Sequence, residues 1–287
     1  MPALLDPPAA TSATKAAVFE FWQTSEAYRD FGPEKLAESP HRRRITSLLD
    51  GRESVVDLAC GDGNNLPHLP AGVRYVGVDC SPVALRRLRE RDDHRPLSKT
   101  GLVGDVENLP LPDRSTDAVL STFAFEHFLN VPRILRECDR VLRPGGRLIL
   151  IGPDFGFPNN FGPPQREELL NRRGPLLRYA AARLGRRLVD RVRGRCGFEY
   201  VTPRPLDDAT YVPDADMTYL TDHAEIARFL RPLGYSTVTL GCGDRTAGVK
   251  RITQALGLWG HRGDALLCVE KSAPASSRPR VRERTIA

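Results

Sequence analysis

The chain has 287 residues, which is long enough for one large domain or for a domain that carries a substantial insertion. Hydrophobic residues make up 40% and charged residues 27% of the sequence, a balance that supports a buried core and argues against a disordered polyelectrolyte. No apolar run approaches the roughly 20 residues that span a bilayer, and the first residues do not have the pattern of a secretory signal, so we expect a cytoplasmic protein.

The spacing of the cysteines and the net charge limit which metal sites and partners the protein could have. None of the six cysteines forms a Cys-x-x-Cys pair and no histidines cluster with them, so the sequence predicts no metal site and mostly reduced, structural thiols. The formal net charge of +6 comes largely from two basic blocks, Arg172–Arg195 and Arg278–Arg284. A basic balance favours an anionic partner without indicating a fold.

The first predicted elements precede the main pattern. Residues 1–14, rich in Ala, Pro, Ser and Thr, are expected to form a flexible leader, and residues 272–287 a flexible tail. A helix is predicted from Thr14 to about Asp30, with Phe19, Trp22 and Tyr28 on an aromatic face.

Short apolar strands then alternate with helical segments. The predicted strands are Ser54–Cys60, Tyr75–Cys80, Thr100–Asp105, Asp117–Ala124 and Arg147–Gly152. The predicted helices run from Pro82 to about Asp92 and from Val131 to Leu142, where Arg-Pro-Gly-Gly ends the second one. This alternation predicts an α/β fold with parallel strands and a sheet covered on both faces.

The alternation of strands and helices stops at Pro153, and this break divides the chain into a predicted core, a predicted cap and a segment that completes the sheet. Residues 15–152 are expected to form the core with its N-terminal helix, and residues 153–218, rich in Pro, Gly and Arg, a substrate cap inserted into it. Residues 219–271 are expected to complete the sheet. Their predicted elements are a helix at 221–233, a strand at 237–240, a helix near 248–258 and a strand at 265–270.

Polar residues and glycines follow the first three predicted strands. Asp57, Gly61 and Gly63 lie at the first strand end, where glycine lets the backbone turn sharply and approach a ligand. A dinucleotide fingerprint would need a third glycine where Leu66 stands, which argues against that interpretation. Asp79 and Asp105 end the next two strands, at the edge where open α/β sheets bind ligands. Carboxylates there suit the hydroxyl and amino groups of a nucleoside.

Four ordered motifs make the prediction more specific. They are VVDLACGDG (55–63), YVGVDCSP (75–82), GDVENLPLPDRSTDAVLSTFAFEHF (104–128) and LRECDRVLRPGGRLIL (135–150). With these motifs the sequence resembles the class I S-adenosylmethionine-dependent methyltransferases, in the branch that includes ubiquinone-biosynthesis-type enzymes. The resemblance implies a Rossmann-like, doubly wound sheet of seven strands in the order 3-2-1-4-5-7-6, with the last strand antiparallel and a helical or loop cap inserted.

The resemblance also implies a set of cofactor-binding residues. Asp57 would line the amino end of the methionine portion, Asp79 would hold the ribose, and Phe123 would lie near the methionine portion or the acceptor. Cys80, Asp105 and Val106 would lie at the adenine. The full implied set is Asp57, Ala59, Cys60, Gly61, Gly63, Asp79, Cys80, Asp105, Val106 and Phe123.

The expected reaction is an in-line methyl transfer to an oxygen, nitrogen or carbon atom, for which positioning can supply most of the acceleration. His127 is the candidate general base if the acceptor enters protonated, although it could instead hydrogen-bond a loop carbonyl or a neighbouring carboxylate. Asp154 and His223, which flank the insertion, are weaker candidates. Two other classes stay open: a catalytically silent scaffold that binds S-adenosylmethionine, and a nicotinamide-dependent oxidoreductase.

The acceptor is expected to be a small or lipid-linked metabolite that contacts the insertion. Phe155, Phe157 and Phe161 predict either an apolar lid or a hydrophobic plug. The Arg172–Arg195 region fits a helix at an anionic membrane surface, a grip on a phosphate, or a solvated arginine face. The fourth strand end, Ser-Thr-Phe-Ala-Phe, lacks the tetrapeptide of enzymes that methylate base amino groups, which argues against nucleic acid.

Overall fold

The computed structural model describes residues 12–24, 39, 41–93, 95–155, 173–200, 218–242 and 264–273. Its strands are β1 Ser54–Leu58, β2 Arg74–Asp79, β3 Ser98–Val103, β4 Thr116–Thr122, β5 Leu142–Pro153, β6 Tyr235–Cys242 and β7 Asp264–Lys271. Its α-helices are α1 Ser12–Thr24, α2 Ile45–Leu48, α3 Pro82–Glu90, α4 Val131–Val141, α5 Arg173–Val192 and α6 His223–Leu230.

The strands form one sheet in the order β3-β2-β1-β4-β5-β7-β6. Strands β1 to β5 pair in parallel, and β7 runs antiparallel to both β5 and β6. The predicted order and the antiparallel last strand are confirmed. Because β1, β2, β3 and β4 are parallel neighbours, their carboxyl ends meet at one edge of the sheet.

The central strands of the sheet are covered on both faces, which explains why β1, β4 and β5 contain runs of apolar residues. All five residues of β1 are buried. Val55 packs with Ile45, Leu85 and Leu88 on one face, whereas Val56 packs with Ile134 and Leu135 of α4 on the other. This division follows the alternation of side chains along a strand.

Local signals in the sequence fix where the helices on the sheet begin. The Ser81 side chain accepts a hydrogen bond from the Ala84 amide at 3.2 Å, and Pro82 follows it as the first residue of α3. At the start of α4, the Asn130 side chain accepts a hydrogen bond from the Arg133 amide at 3.2 Å.

Strand β5 differs from the prediction because it begins at Leu142 rather than at Arg147. Leu142 pairs with Thr116, and after a register shift Arg147 pairs with Ala118. The Arg-Pro-Gly-Gly segment therefore lies inside the strand as an irregularity, with Gly145 at a φ of +79°. Proline and glycine predict a break, but the pairing with β4 continues on both sides of it.

The predicted helix at Thr14–Asp30 is present from Ser12 to Thr24, and residues 25–30, with Tyr28, lie outside the described residues. The predicted helix near 248–258 also lies outside them, as do Phe157 and Phe161. Phe155 is buried against Leu220, which agrees with a plug. In the described part of the chain, no helix has the length and apolar character needed to cross a bilayer.

The predicted insertion contains α5 and, after it, residues 195–200, here called the return segment, which pack on the sheet domain. In the return segment, Cys196, Phe198 and Tyr200 lie against the core cluster around α4. The Tyr200 hydroxyl accepts a hydrogen bond from the Val131 amide at 3.1 Å, at the start of α4. This segment therefore belongs to the packing of the main domain.

In the second half of α5, four apolar side chains are exposed. Leu184, Leu188, Val189 and Val192 are 40%, 54%, 46% and 89% exposed. On another face of the helix, Arg187 forms a largely buried ion pair with Asp222, the N-cap residue of α6. Arg186, Arg191 and Arg193 are exposed as well, so α5 presents both apolar side chains and arginines to solvent, and the three interpretations of this region stay predictions.

Candidate functional site at the carboxyl ends of the strands

A tight turn follows β1 and is braced by Asp79 at the end of β2. The residues with positive φ in this turn are Ala59 (49°), Gly61 (54°) and Gly63 (88°). One carboxylate oxygen of Asp79 accepts a hydrogen bond from the Gly61 amide at 2.8 Å, and the other accepts one from the Ser81 amide at 2.8 Å. Burial raises the pKa of Asp79, although these amides favour its charged form.

Asp57 in β1 is fully buried and surrounded by protein donors. The Asn65 amide group donates to both carboxylate oxygens, at 3.2 and 3.0 Å, and the Tyr75 hydroxyl donates at 2.9 Å. Desolvation raises the pKa of Asp57 to about 6. The Thr122 hydroxyl donates to the Asn65 side-chain oxygen at 3.1 Å, so the same network joins the turn to the end of β4.

Close packing also explains why residue 63 is a glycine, in addition to the predicted need to leave room for a ligand. A Cβ atom at Gly63 would lie 2.5 Å from Leu88 Cδ1 and 2.8 Å from Leu66 Cδ1. Cys60 also serves packing, since a Cβ atom at Gly77 would lie 2.5 Å from its sulfur. Burial raises the pKa of the Cys60 thiol, which fits a structural side chain rather than a nucleophile. Cys80 is partly exposed.

Asp105, just after β3, contacts the N-terminal helix. Its Oδ2 lies 2.8 Å from Lys15 Nζ, and its Oδ1 accepts a hydrogen bond from the Glu107 amide at 2.9 Å. Lys15 Nζ also lies 2.8 Å from Glu107 Oε2. Helix α1 therefore reaches the end of β3, where Val106 is partly buried against the core.

Neighbouring strand ends are joined directly by hydrogen bonds. The Gly104 amide donates to the Asp79 carbonyl at 3.0 Å, which places the residue before Asp105 beside the end of β2. Together with the bond between Gly61 and Asp79, this contact joins the ends of β1, β2 and β3. The structure thus brings Asp57, Asp79 and Asp105 to one edge, as the sequence predicts from three successive strands.

The end of β4 contributes Phe123, whose positive φ of 53° turns the chain there. The Phe123 ring centre lies 5.4 Å from the guanidinium carbon of Arg42, a residue that the sequence reasoning missed. Arg42 is buried, whereas Arg43 and Arg44 are exposed. Nothing local in the His-Arg-Arg-Arg run distinguishes the buried arginine from its exposed neighbours.

His127 lies in a 3-10 turn just beyond β4, at Phe125–His127. Its side chain is 22% exposed, and its Nε2 lies 3.9 Å from Oε1 of the buried Glu126. The Glu126 carbonyl accepts hydrogen bonds from the Thr218 and Tyr219 amides at 2.8 and 2.9 Å. His127 therefore stands partly accessible on a well-anchored turn.

The other two candidates, Asp154 and His223, form a separate buried pair. His223 Nδ1 lies 4.0 Å from Asp154 Oδ1, where the segment after β5 meets the start of α6. Both side chains are almost fully buried, so they do not share the partly accessible position of His127. Among the residues that the structure describes, no three His, Cys, Asp or Glu side chains are grouped so as to hold a metal ion.

Comparisons with known proteins agree with this fold. A family model described as "Methyltransferase domain" matches residues 56–150. Demethylmenaquinone methyltransferase of Deinococcus radiodurans is 30% identical over 225 residues, which are 76% of this chain and 79% of the relative. A phthiotriol/phenolphthiotriol dimycocerosates methyltransferase of Mycobacterium leprae is 32% identical over 111 residues, 38% of this chain and 40% of the relative.

A solved structure shows the same fold over most of the chain. The 1,6-didemethyltoxoflavin-N1-methyltransferase of Burkholderia thailandensis has a TM-score of 0.51 at 18% identity and covers 94% of each chain. The chain spans only 36%, 48% and 52% of the length of three further curated relatives that it matches. The sheet order, the ordered motifs and the match to the Deinococcus protein place the chain in the family of class I S-adenosylmethionine-dependent methyltransferases.

Proposed function

We propose that the ends of β1, β2 and β3 bind S-adenosylmethionine and that the protein transfers its methyl group to an oxygen, nitrogen or carbon atom of a small or lipid-linked metabolite. The observation that carries the proposal is the Asp79 contact set. Its side chain holds the Gly61 amide, and its backbone carbonyl holds the Gly104 amide. One residue thereby aligns the glycine turn, its own carboxylate and the segment that carries Asp105.

The free hydrogen-bonding capacity of these residues fits an adenosyl group. The Gly61, Ser81 and Cys80 amides donate to the Asp79 carboxylate, whose two oxygens offer about four lone-pair sites, so capacity for a ribose hydroxyl remains. Asp105 could accept from the adenine amino group once Lys15 yields an oxygen, while the Val106 amide could donate. Asp57 already receives three hydrogen bonds, two from Asn65 and one from Tyr75, so we expect it to act mainly by fixing Asn65 and by its charge.

The cofactor would supply an electrophilic methyl group on a sulfonium, and its positive charge disappears in the transfer. The protein's task is then to align the acceptor and to exclude water. We assign the turn after β4, with Phe123 and His127, to the acceptor side. His127 would take the acceptor proton if the acceptor enters as a neutral hydroxyl or a protonated amine.

The proposal is tested first by calorimetry with S-adenosylhomocysteine and with NAD. Asp79→Ala should weaken S-adenosylhomocysteine by about 1.5–3 kcal/mol, the scale of hydrogen bonds to a charged group. Asp113→Ala is the matched control, since Asp113 is an exposed carboxylate paired with Arg140 at 2.8 Å. Unchanged affinity in Asp79→Ala would remove Asp79 from the site, and preferential binding of NAD would favour the oxidoreductase.

Binding without turnover would indicate the scaffold alternative. Extracts incubated with the protein and with S-adenosylmethionine carrying an isotopically labelled methyl group can be searched by mass spectrometry for a labelled product. His127→Gln should lower the rate of transfer without weakening S-adenosylhomocysteine if His127 acts on the acceptor. An equal loss of cofactor affinity would instead assign His127 a structural role.

We further propose that the exposed stripe of α5 contacts an anionic lipid surface, as a lipid-linked acceptor would require. Leu188 and Val192 are exposed on one side of the helix, while Arg187 on another side is tied to Asp222. Exposed Arg191 and Arg193 lie next to the stripe. Apolar side chains flanked by arginines fit the interface of a membrane that carries negative charge.

Vesicle sedimentation tests this contact. The protein should bind vesicles with phosphatidylglycerol more strongly than vesicles of phosphatidylcholine alone, and Leu188→Ser with Val192→Ser should reduce binding several-fold. Leu97→Ser is the matched control, because Leu97 is 72% exposed and lies outside α5. Equal binding of both vesicle types, or equal losses in the two variants, would contradict the assignment.

A further inference from the structure

Thr218 contacts the turn that carries His127 on both sides of that residue. The Thr218 amide donates a hydrogen bond to the Glu126 carbonyl at 2.8 Å, and the Thr218 hydroxyl donates one to the Phe128 carbonyl at 2.9 Å. Glu126 and Phe128 are the two neighbours of His127 in the sequence. Thr218 is 2% exposed, so both hydrogen bonds are made out of reach of solvent.

The two carbonyls lie at the end of the 3-10 turn, where a helix leaves its last carbonyls without donors of its own. The turn is formed by the amides of His127 and Phe128, which donate to the carbonyls of Ala124 and Phe125 at 3.0 and 3.2 Å. Thr218 supplies the donors for the end of the turn from a position 90 residues after Phe128.

Aromatic packing holds both the turn and Thr218 in place. On one side of the turn, the rings of Phe125 and Phe128 pack in the core with their centres 4.9 Å apart. Tyr219, which follows Thr218, is fully buried, and its ring centre lies 5.6 Å from that of Tyr200 in the return segment. Thr218 is therefore a fixed donor, and the turn that it contacts is anchored on its other side.

The placement of the His127 ring depends on this turn. The His127 side chain is 22% exposed, and its Nε2 lies 3.9 Å from Oε1 of Glu126, which is longer than a hydrogen bond. A general base must come within hydrogen-bond reach of the proton that it takes, and small displacements cost large factors in rate. The two hydrogen bonds from Thr218 hold the segment on which this placement depends.

We infer that Thr218 is a positioning residue that fixes His127 for the reaction. The inference rests on the proposed function, in which His127 takes the proton of the acceptor. Thr218 is the last residue of the predicted insertion, so the candidate base is held by a part of the chain far from the cofactor motifs in sequence. Asp79 and Asp105 are held by other contacts, so binding of S-adenosylhomocysteine should not depend on the Thr218 hydroxyl.

Three variants separate the hydroxyl from the rest of the side chain. Thr218→Val keeps the shape of the side chain and removes the hydroxyl, whereas Thr218→Ser keeps the hydroxyl. Thr116→Val is the matched control, because Thr116 is also 2% exposed and its hydroxyl donates to the Ala118 carbonyl, likewise at 2.9 Å. Thr116 begins β4, at the opposite end of that strand from the His127 turn.

NMR of the histidine ring nitrogens reports the environment of His127 without any ligand, and His127→Gln assigns its signals. Thr218→Val should shift or broaden the His127 signals, whereas Thr218→Ser and Thr116→Val should leave them nearly as they are in the unaltered protein. In extracts with the labelled methyl donor, Thr218→Val should lower the maximal rate of product formation by about tenfold or more. The extract concentration that gives half of that rate, and the affinity for S-adenosylhomocysteine, should change less than about twofold.

Unchanged His127 signals in Thr218→Val would overturn the inference, and so would equal changes in Thr116→Val. A parallel loss of affinity for S-adenosylhomocysteine would show a general loosening of the fold and would also overturn it. If His127→Gln transfers methyl groups as fast as the unaltered protein, the proposed role of His127 fails, while the NMR comparison still decides whether Thr218 places the ring. If Thr218→Val does not fold, Thr218→Ala takes its place in the same comparison with Thr218→Ser.

Discussion

Replacing Asp57 with asparagine should remove a pH dependence from the stability of the fold. Asp57 is fully buried, and desolvation raises its pKa from 3.8 to about 6. A carboxyl whose pKa is higher in the folded state binds its proton more tightly there, so its contribution is most favourable below the unfolded pKa. That contribution declines as the pH rises from about 4 to about 6 and is constant above.

The size of the effect follows from the shift. A pKa that differs by about two units between the folded and unfolded states corresponds to roughly 3 kcal/mol, at about 1.36 kcal/mol per pKa unit. Asparagine keeps the shape of the side chain and still offers an oxygen to Asn65, but it cannot ionise. The free energy of unfolding of Asp57→Asn minus that of the unaltered protein should therefore become more positive by up to about 3 kcal/mol between pH 4 and pH 7.

Urea denaturation at several pH values measures this difference, and any pH-independent cost of the substitution appears only as a constant offset. Asp117→Asn is the control of opposite sign, because the hydrogen bonds from Arg143 and Ser54 lower the pKa of Asp117 despite its partial burial. Its variant should lose stability relative to the unaltered protein as the pH rises through that lowered pKa. A difference for Asp57→Asn that stays flat between pH 4 and pH 7 would refute the reasoning.

Two further predictions concern glycine packing and helix capping. Gly63→Ala should destabilise the fold by about 2–5 kcal/mol, because the backbone strain of a positive φ adds to a steric clash with Leu88. Gly72→Ala should cost only about 1–2 kcal/mol, because Gly72 has a similar φ of +81° but no atom within 4 Å of the added Cβ. Thermal unfolding compares the two, and equal costs would contradict the clash. Ser81→Ala should cost about 1 kcal/mol through the lost cap of α3, and a loss below about 0.3 kcal/mol in the same assay would count against the cap.

The sheet was predictable because its signals are local and agree with one another. The apolar run at Val55 and Val56 predicts a strand buried on both faces, and Ser81-Pro82 predicts where the next helix starts. The order of the seven strands came from the resemblance carried by the ordered motifs, and it is the order observed. The partition of the chain into core, cap and tail stays a prediction.

Features that depend on contacts distant in sequence could not be predicted. Arg42 is buried beside Thr122 and Phe123 at the end of β4, whereas Arg43 and Arg44, which follow it in sequence, are exposed. The start of β5 at Leu142 depends on its pairing with Thr116, which outweighs the local preference of proline and glycine for a break. The ion pair between Arg187 of α5 and Asp222 joins residues 35 positions apart.

The two ion pairs of Lys15, with Asp105 and Glu107, affect the binding and release of ligands at the end of β3. One ammonium group neutralises Asp105 and Glu107 at the same time, and it belongs to the amino-terminal helix rather than to the sheet. A ligand that binds the Asp105 carboxylate competes with this ammonium group for the same oxygen. Because the side chains of Lys15 and Asp105 are about one third exposed, dissolved ions compete with that ion pair. Under the proposed function, ionic strength should therefore alter ligand exchange at Asp105 more than it alters the fully buried Asp57 network.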